Sequence, residues 1–492
     1  MNWIRHSLVY VALATSSFAA GPPLAAQPET KTLTLEDGRT AEVEAGWLKV
    51  PESRGKDTSR TLSLPYYRIP STAQRPAAPV FLLAGGPGSS WIRRAEKSEN
   101  FDELMLYRQF ADVVLFDQRG GGEALPALDC PQRRRLPADQ PLDRRELSRN
   151  LRQMLTECRD HWLAEGVDLA AYNTDANAAD LDALRQTLGY ERITLVGGSY
   201  GSHLALHYMR RYPERVDRAM LYGIEGPDHT WDDPTAALAT LERIAAVAEA
   251  SGRFDDRLPA GGLIAALGEV LERLEQQPAR VSLERNDQSF DVVVDRLVVA
   301  LVADHRAGRR STPEFWPELI LAMHRGDFSL PARAALALRN LRLDDPMHYS
   351  MDCASGISAE RRRRYQASPA IALLGDLNFE YSTLCDLWPA ADLGEQFRTP
   401  VRSSAPTLIL HGTWDTATPI ENAREVAAAL DNGHLVEVIG GNHGALYNLY
   451  SHWPPMKPLV GRFLRGHEGE FPDSVTLPAV TFPAPEAGSA SR

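Results

Sequence analysis

Residues 193–209 leave the chain few ways to fold. Ile193, Thr194, Leu195 and Val196 form a short apolar run rich in β-branched residues. Gly197-Gly198-Ser199-Tyr200-Gly201 comes next, and residues 202–209 are good helix formers. That order predicts a buried strand, a sharp turn and a helix, with a serine at the apex. Strand and helix cross closely at such a turn, so side chains on the flanking positions would clash and glycine is required. The turn lifts the Ser199 hydroxyl above the C-terminal edge of a sheet and leaves the Tyr200 N–H facing a developing oxyanion. Ser199 is the candidate nucleophile.

The rest of the chain supplies that sheet. Residues 79–84, 112–117, 218–222, 407–410 and 435–439 are short, continuously apolar runs of the kind that form parallel strands buried on both faces. Helical patterns lie between most of them, and the alternation predicts an α/β fold with a mostly parallel sheet and helices on both faces. Residues 40–43 and 62–69 alternate apolar with polar and read as antiparallel edge strands. The alternation breaks once, over residues 225–404, where helix-period patterns at 234–251, 260–277, 313–325 and 331–341 accompany one hairpin, 281–284 against 290–294. An insert this long between two core strands is expected to form a helical cap domain. The expected organisation is 1–26 signal peptide, 27–224 first part of the core, 225–404 cap, 405–467 second part of the core, and 468–492 an extended Pro-, Ala- and Ser-rich tail.

Composition narrows the function by exclusion. The 492 residues are 43% hydrophobic and 24% charged, with a formal net charge of −12. This is an ordinary globular balance that gives no reason to expect nucleic acid or an anionic membrane as partner. Arg5 and His6, the apolar residues 8–14 and the small residues near 17–19 or 24–26 read as an export signal. That apolar run is too short to span a bilayer. The four cysteines are even in number and suit an oxidising compartment. Cys130 with Cys158 and Cys353 with Cys385 is the most economical pairing, because each closes a short loop. No cysteine has metal-ligand spacing to another, and His203 with His207 has no carboxylate motif after it, so neither metal nor cofactor is expected.

A serine nucleophile needs a base, an orienting acid and oxyanion donors. In this sheet type the acid and then the histidine follow the serine in the chain. Asp415 sits in the loop after the strand at 407–410, and His443 follows Gly440-Gly441-Asn442 after the last predicted strand. Strand-end loops are where open α/β sheets place functional groups. Gly85-Gly86-Pro87-Gly88 follows another strand without the lysine or spacing of a nucleotide cradle, and the Gly86 N–H is expected to pair with that of Tyr200 as an oxyanion hole.

Four motifs together resemble the prolyl aminopeptidase and tripeptidyl aminopeptidase family of α/β-hydrolase serine peptidases. They are Gly85-Gly86-Pro87-Gly88, Asp117-Gln118-Arg119-Gly120, Gly197-Gly198-Ser199-Tyr200-Gly201, and Gly412 with Asp415, Thr418, Pro419 and His443. The exported, cysteine-containing chain with its large insert is more similar to the secreted bacterial tripeptidyl aminopeptidases than to the compact cytosolic prolyl enzymes. The resemblance implies an α/β-hydrolase fold, Ser199 as nucleophile, His443 as base, Asp415 as its partner, and Gly86 and Tyr200 as oxyanion donors. Ala84 and Gly121-Gly122-Glu123-Ala124 stand where many relatives carry other residues. An aminopeptidase must also bind a free ammonium, and Glu225, just past the strand at 218–222, is expected to do so. The leading expectation is thus an exported, periplasmic or secreted serine exopeptidase acting on short peptides with a free N-terminus. A carboxylesterase or amidase on small molecules is the alternative, and a non-catalytic binding protein on the same scaffold is the third reading.

Overall fold

The computed structural model describes residues 28–482 except 36, 286–287, 309–312, 344–345 and 468–470. The expected signal peptide lies outside the described residues. Ten strands form one sheet: β1 (Glu29–Thr34), β2 (Thr40–Pro51), β3 (Thr61–Ile69), β4 (Val80–Leu83), β5 (Val113–Phe116), β6 (Ile193–Ser199), β7 (Val216–Ile224), β8 (Thr407–Gly412), β9 (Gly433–Ile439) and β10 (Ser474–Thr476). Their spatial order is β1-β2-β3-β5-β4-β6-β7-β8-β9-β10. The first three strands pair antiparallel, and every pairing from β5 through β10 is parallel.

The apolar runs are continuous because the central strands are covered on both sides. Phe81, Leu83, Leu195, Leu221 and Ile409 belong to one buried cluster, whereas Val80, Leu82, Val196, Met220, Leu408 and Leu410 belong to another on the opposite face. Alternate residues of one strand therefore feed two cores. The helices Ser98–Arg108 and Ala445–His452, far apart in sequence, both contribute to the second cluster, through Leu104 and Tyr107 and through Leu446 and Leu449. In chain order, the helices around the site are α1 (Ser98–Arg108), α2 (Thr174–Thr187), α3 (Tyr200–Arg211), α4 (Met347–Ser355), α5 (Phe379–Leu384) and α6 (Ala445–His452).

The α/β expectation holds. Between β7 and β8 the chain forms helices Pro234–Ala250, Gly262–Gln276, Trp316–His324 and Ser329–Arg339, and the hairpin Ala279–Arg285 with Gln288–Val294. Two elements differ from expectation. Residues 340–343 leave the helix to pair antiparallel with Cys130–Arg135. Within the segment expected as an extended tail, Ser474–Thr476 pairs with Glu437–Ile439 as an edge strand because Val475 buries against the second cluster. Three residues carry too little periodicity to stand out in a Pro-rich stretch. The cysteines pair as Cys130–Cys158 and Cys353–Cys385. Among the described residues no helix is long and apolar enough to cross a membrane.

Candidate active site

Ser199 ends β6 and precedes α3 with φ 56° and ψ −133°, the only positive φ outside glycine among the described residues. Such a conformation costs about 1–3 kcal/mol and persists only where the surroundings impose it. The surroundings here are close backbones. A Cβ on Gly197 would lie 2.5 Å from the Gly201 oxygen, and one on Gly201 would lie 2.3 Å from the Leu83 oxygen of the next strand. The Ser202 hydroxyl donates to the Ser199 carbonyl at 2.7 Å and accepts the Glu225 N–H at 2.9 Å, tying the turn to the end of β7.

The Gly85–Gly86 loop lies against the nucleophile: a Cβ on Gly85 would be 3.1 Å from Ser199 Cβ. The Asp-Gln-Arg-Gly motif explains how this loop is held. Gln118 Nε2 donates to the Ala84 carbonyl at 2.9 Å. Asp117 accepts from the Ser90 hydroxyl at 2.6 Å and from the Glu123 N–H at 2.9 Å. Arg119 is fully buried and grips Asp180 of α2 through two bonds of 2.7 and 2.9 Å, with further bonds to the Glu52 and Ala171 carbonyls. A planar guanidinium suits this site because its fork matches a carboxylate while its other donors serve backbone oxygens. The motif is scaffold for the loop that carries Gly86, a candidate oxyanion donor together with Tyr200.

Asp415 follows β8 and is fully buried; His443 follows β9 and leads into α6. The two are joined by a 2.8 Å bond between His443 Nδ1 and Asp415 Oδ2. The same Oδ2 accepts the Thr418 hydroxyl at 2.7 Å, and Oδ1 accepts the Ala417 and Thr418 N–H groups at 3.0 Å each. Burial works against the charge on Asp415. The hydrogen bonds from His443 and the Thr418 N–H outweigh it and hold the carboxyl below its ordinary value. An ionised Asp415 fixes the proton on His443 Nδ1, which leaves Nε2 as the free acceptor. His411 is a neutral neighbour: its Nδ1 accepts the Ile224 N–H at 3.1 Å, its Nε2 donates to the Thr418 carbonyl at 2.6 Å, and burial lowers its pKa. Ser199 registers against Ile224 on β7, and a Cβ on the preceding Gly223 would meet His443 Cε1 at 3.0 Å. One end of the sheet thus brings Ser199, Asp415 and His443 together, although they come from separate parts of the chain.

Glu225 extends past β7 at the same end, with 13% of its side chain exposed. Burial, and then repulsion from Asp352 and Asp232, push its pKa well above the ordinary carboxylate value. Its one ion-pair contact among the described residues is His203 Nδ1 at 3.7 Å. That histidine donates Nδ1–H to the Gly226 carbonyl at 3.0 Å, has Nε2 3.1 Å from the Ser355 hydroxyl, and burial lowers its pKa to about 3, so it is neutral. Among the described residues Glu225 has no other ion-pair partner, whereas Asp352 pairs with His348 Nδ1 at 3.0 Å. Sequence reading missed Asp232 and Asp352, because a lone acid in a helical insert has no distinguishing spacing. Asp352 lies on α4 and accepts the hydroxyl of Tyr381 from α5 at 2.8 Å, and Tyr381 stacks on Trp231 with centroids 5.9 Å apart.

Cys353–Cys385 staples α4 to the end of α5 beside that contact. Replacing both cysteines with serine is expected to lower stability by about 2–3 kcal/mol, read from urea unfolding under non-reducing conditions. An unchanged midpoint would mean that packing alone holds the two helices.

Residues 78–249 match the model of the alpha/beta hydrolase fold, and residues 374–475 match the model described as TAP-like protein. The chain is similar to serine protease Hip1 of Mycobacterium tuberculosis, at 25% identity over 82% of this chain and 82% of the relative. It is similar over shorter spans to tripeptidyl aminopeptidase of Streptomyces lividans, at 27% identity covering 38% of this chain and 37% of that protein. A third relative is proline iminopeptidase of Xylella fastidiosa, at 31% identity covering 34% of this chain and 44% of that protein.

Proposed function

We propose that this chain, which matches the alpha/beta hydrolase fold model over 78–249 and the TAP-like model over 374–475 and has peptidase relatives, is an exported serine aminopeptidase. It removes residues or short peptides from the free N-terminus of small peptide substrates. Ser199 Oγ attacks the scissile carbonyl while His443 Nε2 takes its proton, and the Gly86 and Tyr200 N–H groups receive the oxyanion. His443 then protonates the leaving amine, and water hydrolyses the acyl-enzyme by the reverse relay.

The observation that carries the amine specificity is the Glu225 carboxylate, desolvated, beside Asp232 and Asp352, with a neutral histidine as its nearest partner. A substrate ammonium supplies the missing cation, and a nearby charge of opposite sign relieves the repulsion. An ester or neutral amide gains nothing from that site. The segment 225–404 acts as a cap that limits access to short or unfolded peptides. The two disulfides and the N-terminal signal pattern support export to a periplasm or the medium.

The test is a set of initial rates on mono-, di- and tripeptidyl p-nitroanilides, each beside its N-acetylated twin and a p-nitrophenyl ester, with Ser199→Ala as the blank. Free-amine amides are expected to be cleaved at least about 100-fold better than their acetylated twins, from the about 2–5 kcal/mol that a buried charge pair contributes. Ester cleavage indifferent to the amine would leave a carboxylesterase or amidase instead.

A further inference from the structure

The face of the sheet opposite α3 holds a buried carboxylate that the reaction as described does not use. Glu103 of α1 is 3% exposed. Its Oε1 accepts the Tyr107 hydroxyl at 2.8 Å, and its Oε2 accepts the Tyr447 hydroxyl of α6 at 3.1 Å. Tyr107 Oη is 3.0 Å from Tyr450 Oη, and Tyr447 Oη is 3.4 Å from Tyr222 Oη, with the Tyr222 and Tyr447 rings edge-on at 5.8 Å. A carboxylate only accepts, and each phenol donates once. The chain therefore has one direction: Tyr450 to Tyr107 to Glu103 on one side, and Tyr222 to Tyr447 to Glu103 on the other.

The second branch, through Tyr222 and the helix of Tyr447, borders the residues next to Ser199 and His443. Tyr222 registers against Gly198, where a Cβ would lie 2.1 Å from its ring, so the ring buttresses the residue before Ser199. Tyr447 lies on the helix that begins just after His443. The Asn448 side chain of that helix accepts the Asn442 N–H at 3.0 Å, pinning the residue before His443. Burial raises the Glu103 pKa, against the pull of Tyr107, Tyr447 and the more distant Arg94.

We infer that Glu103 is a positioning residue: through Tyr447 and Tyr222 it fixes the spacing between Ser199 and His443 from the far side of the sheet. The inference rests on the reading of Ser199 and His443 as nucleophile and base, but not on the choice between peptidase and esterase. Glu103→Gln keeps the shape and forces one hydroxyl to reverse, because the amide nitrogen donates. Tyr447→Phe removes the link with a single atom.

The experiment measures p-nitrophenyl acetate hydrolysis for the wild type, Glu103→Gln, Tyr447→Phe and the double variant. Active sites are counted by fluorophosphonate labelling of Ser199, so that kcat refers to folded, reactive enzyme. Each single variant is expected to lose about 10-fold in kcat with KM within about twofold, since small misplacements of reacting groups carry penalties of that order. The double variant is expected to be no worse than the poorer single, because both cut the same link. A kcat per labelled site within twofold of wild type in Tyr447→Phe, whatever the melting temperature does, would overturn the inference. So would multiplicative losses in the double variant. Should Glu103→Gln not fold, Tyr447→Phe decides alone. A wild-type chain that takes no label at Ser199 would instead overturn the nucleophile assignment, and this inference with it.

Discussion

Asp415→Asn is expected to lower kcat by about four orders of magnitude while leaving the protein folded. Asparagine presents an amide nitrogen or an amide oxygen to His443, and in neither case an anion. With the amide nitrogen donating to Nδ1, the histidine proton moves to Nε2 and the base can no longer accept from Ser199. The amide oxygen can still accept the Ala417 and Thr418 N–H groups that bind Oδ1, and the Thr418 hydroxyl, which now donates to Oδ2, can turn to accept from the amide nitrogen, so the loop survives. Ser199→Ala should fall at least as far, because members of such a unit fail together. The measurement is kcat on the best p-nitroanilide, with melting curves as control. A loss under about 100-fold would mean that another group orients the base.

The same variant has a pH signature. A carboxyl held below its ordinary value contributes stability above its unfolded pKa and loses that contribution as the pH falls through its folded pKa. Wild type and Asp415→Asn should therefore differ in melting temperature at neutral pH and converge in acid. Divergence that grew in acid would reverse the assigned direction.

Glu225→Gln is expected to reduce kcat/KM for free-amine substrates by about 100-fold, mostly through KM, and to leave N-acetylated substrates and esters within about twofold. The amide keeps the shape and the hydrogen-bonding reach but not the charge that would meet an ammonium. Equal losses on free and acetylated substrates would assign Glu225 to the architecture of the β7 end instead. The sign for stability is opposite to that of Asp415. Glu225 holds its proton more tightly in the folded chain, so its contribution is present in full below the ordinary carboxylate value and is lost as the pH rises through its raised value. A bound free-amine inhibitor should accordingly raise the melting temperature more at neutral pH than its acetylated twin does.

The parts legible in the sequence are those with a local physical signature. Continuous apolar runs mark β4 to β9 because each is buried on both faces, and glycine spacing marks the turn at Ser199 because backbones meet there. Asp415 and His443 were findable because strand-end loops of such a sheet are few and their chain order is fixed. What stayed hidden is tertiary. Asp232, Asp352 and Tyr381 gather around Glu225 only when the insert folds back over the sheet. Glu103 meets Tyr447 across most of the chain length, and neither has neighbours in sequence that announce the contact. The Ser474–Thr476 strand is visible only from its partner, since three residues in a Pro-rich stretch lack a period.

The sheet order also sets a timetable. β6 and β7, with Ser199 at their edge, are complete by residue 224, but β8 and β9, which bring Asp415 and His443, follow the whole of 225–404, β8 docking on β7 and β9 on β8. A chain emerging from the ribosome therefore carries the proposed nucleophile long before it carries the proposed base. Pairings of such sequence separation form late. The connectivity itself keeps Ser199 apart from Asp415 and His443 until β8 and β9 have joined the sheet.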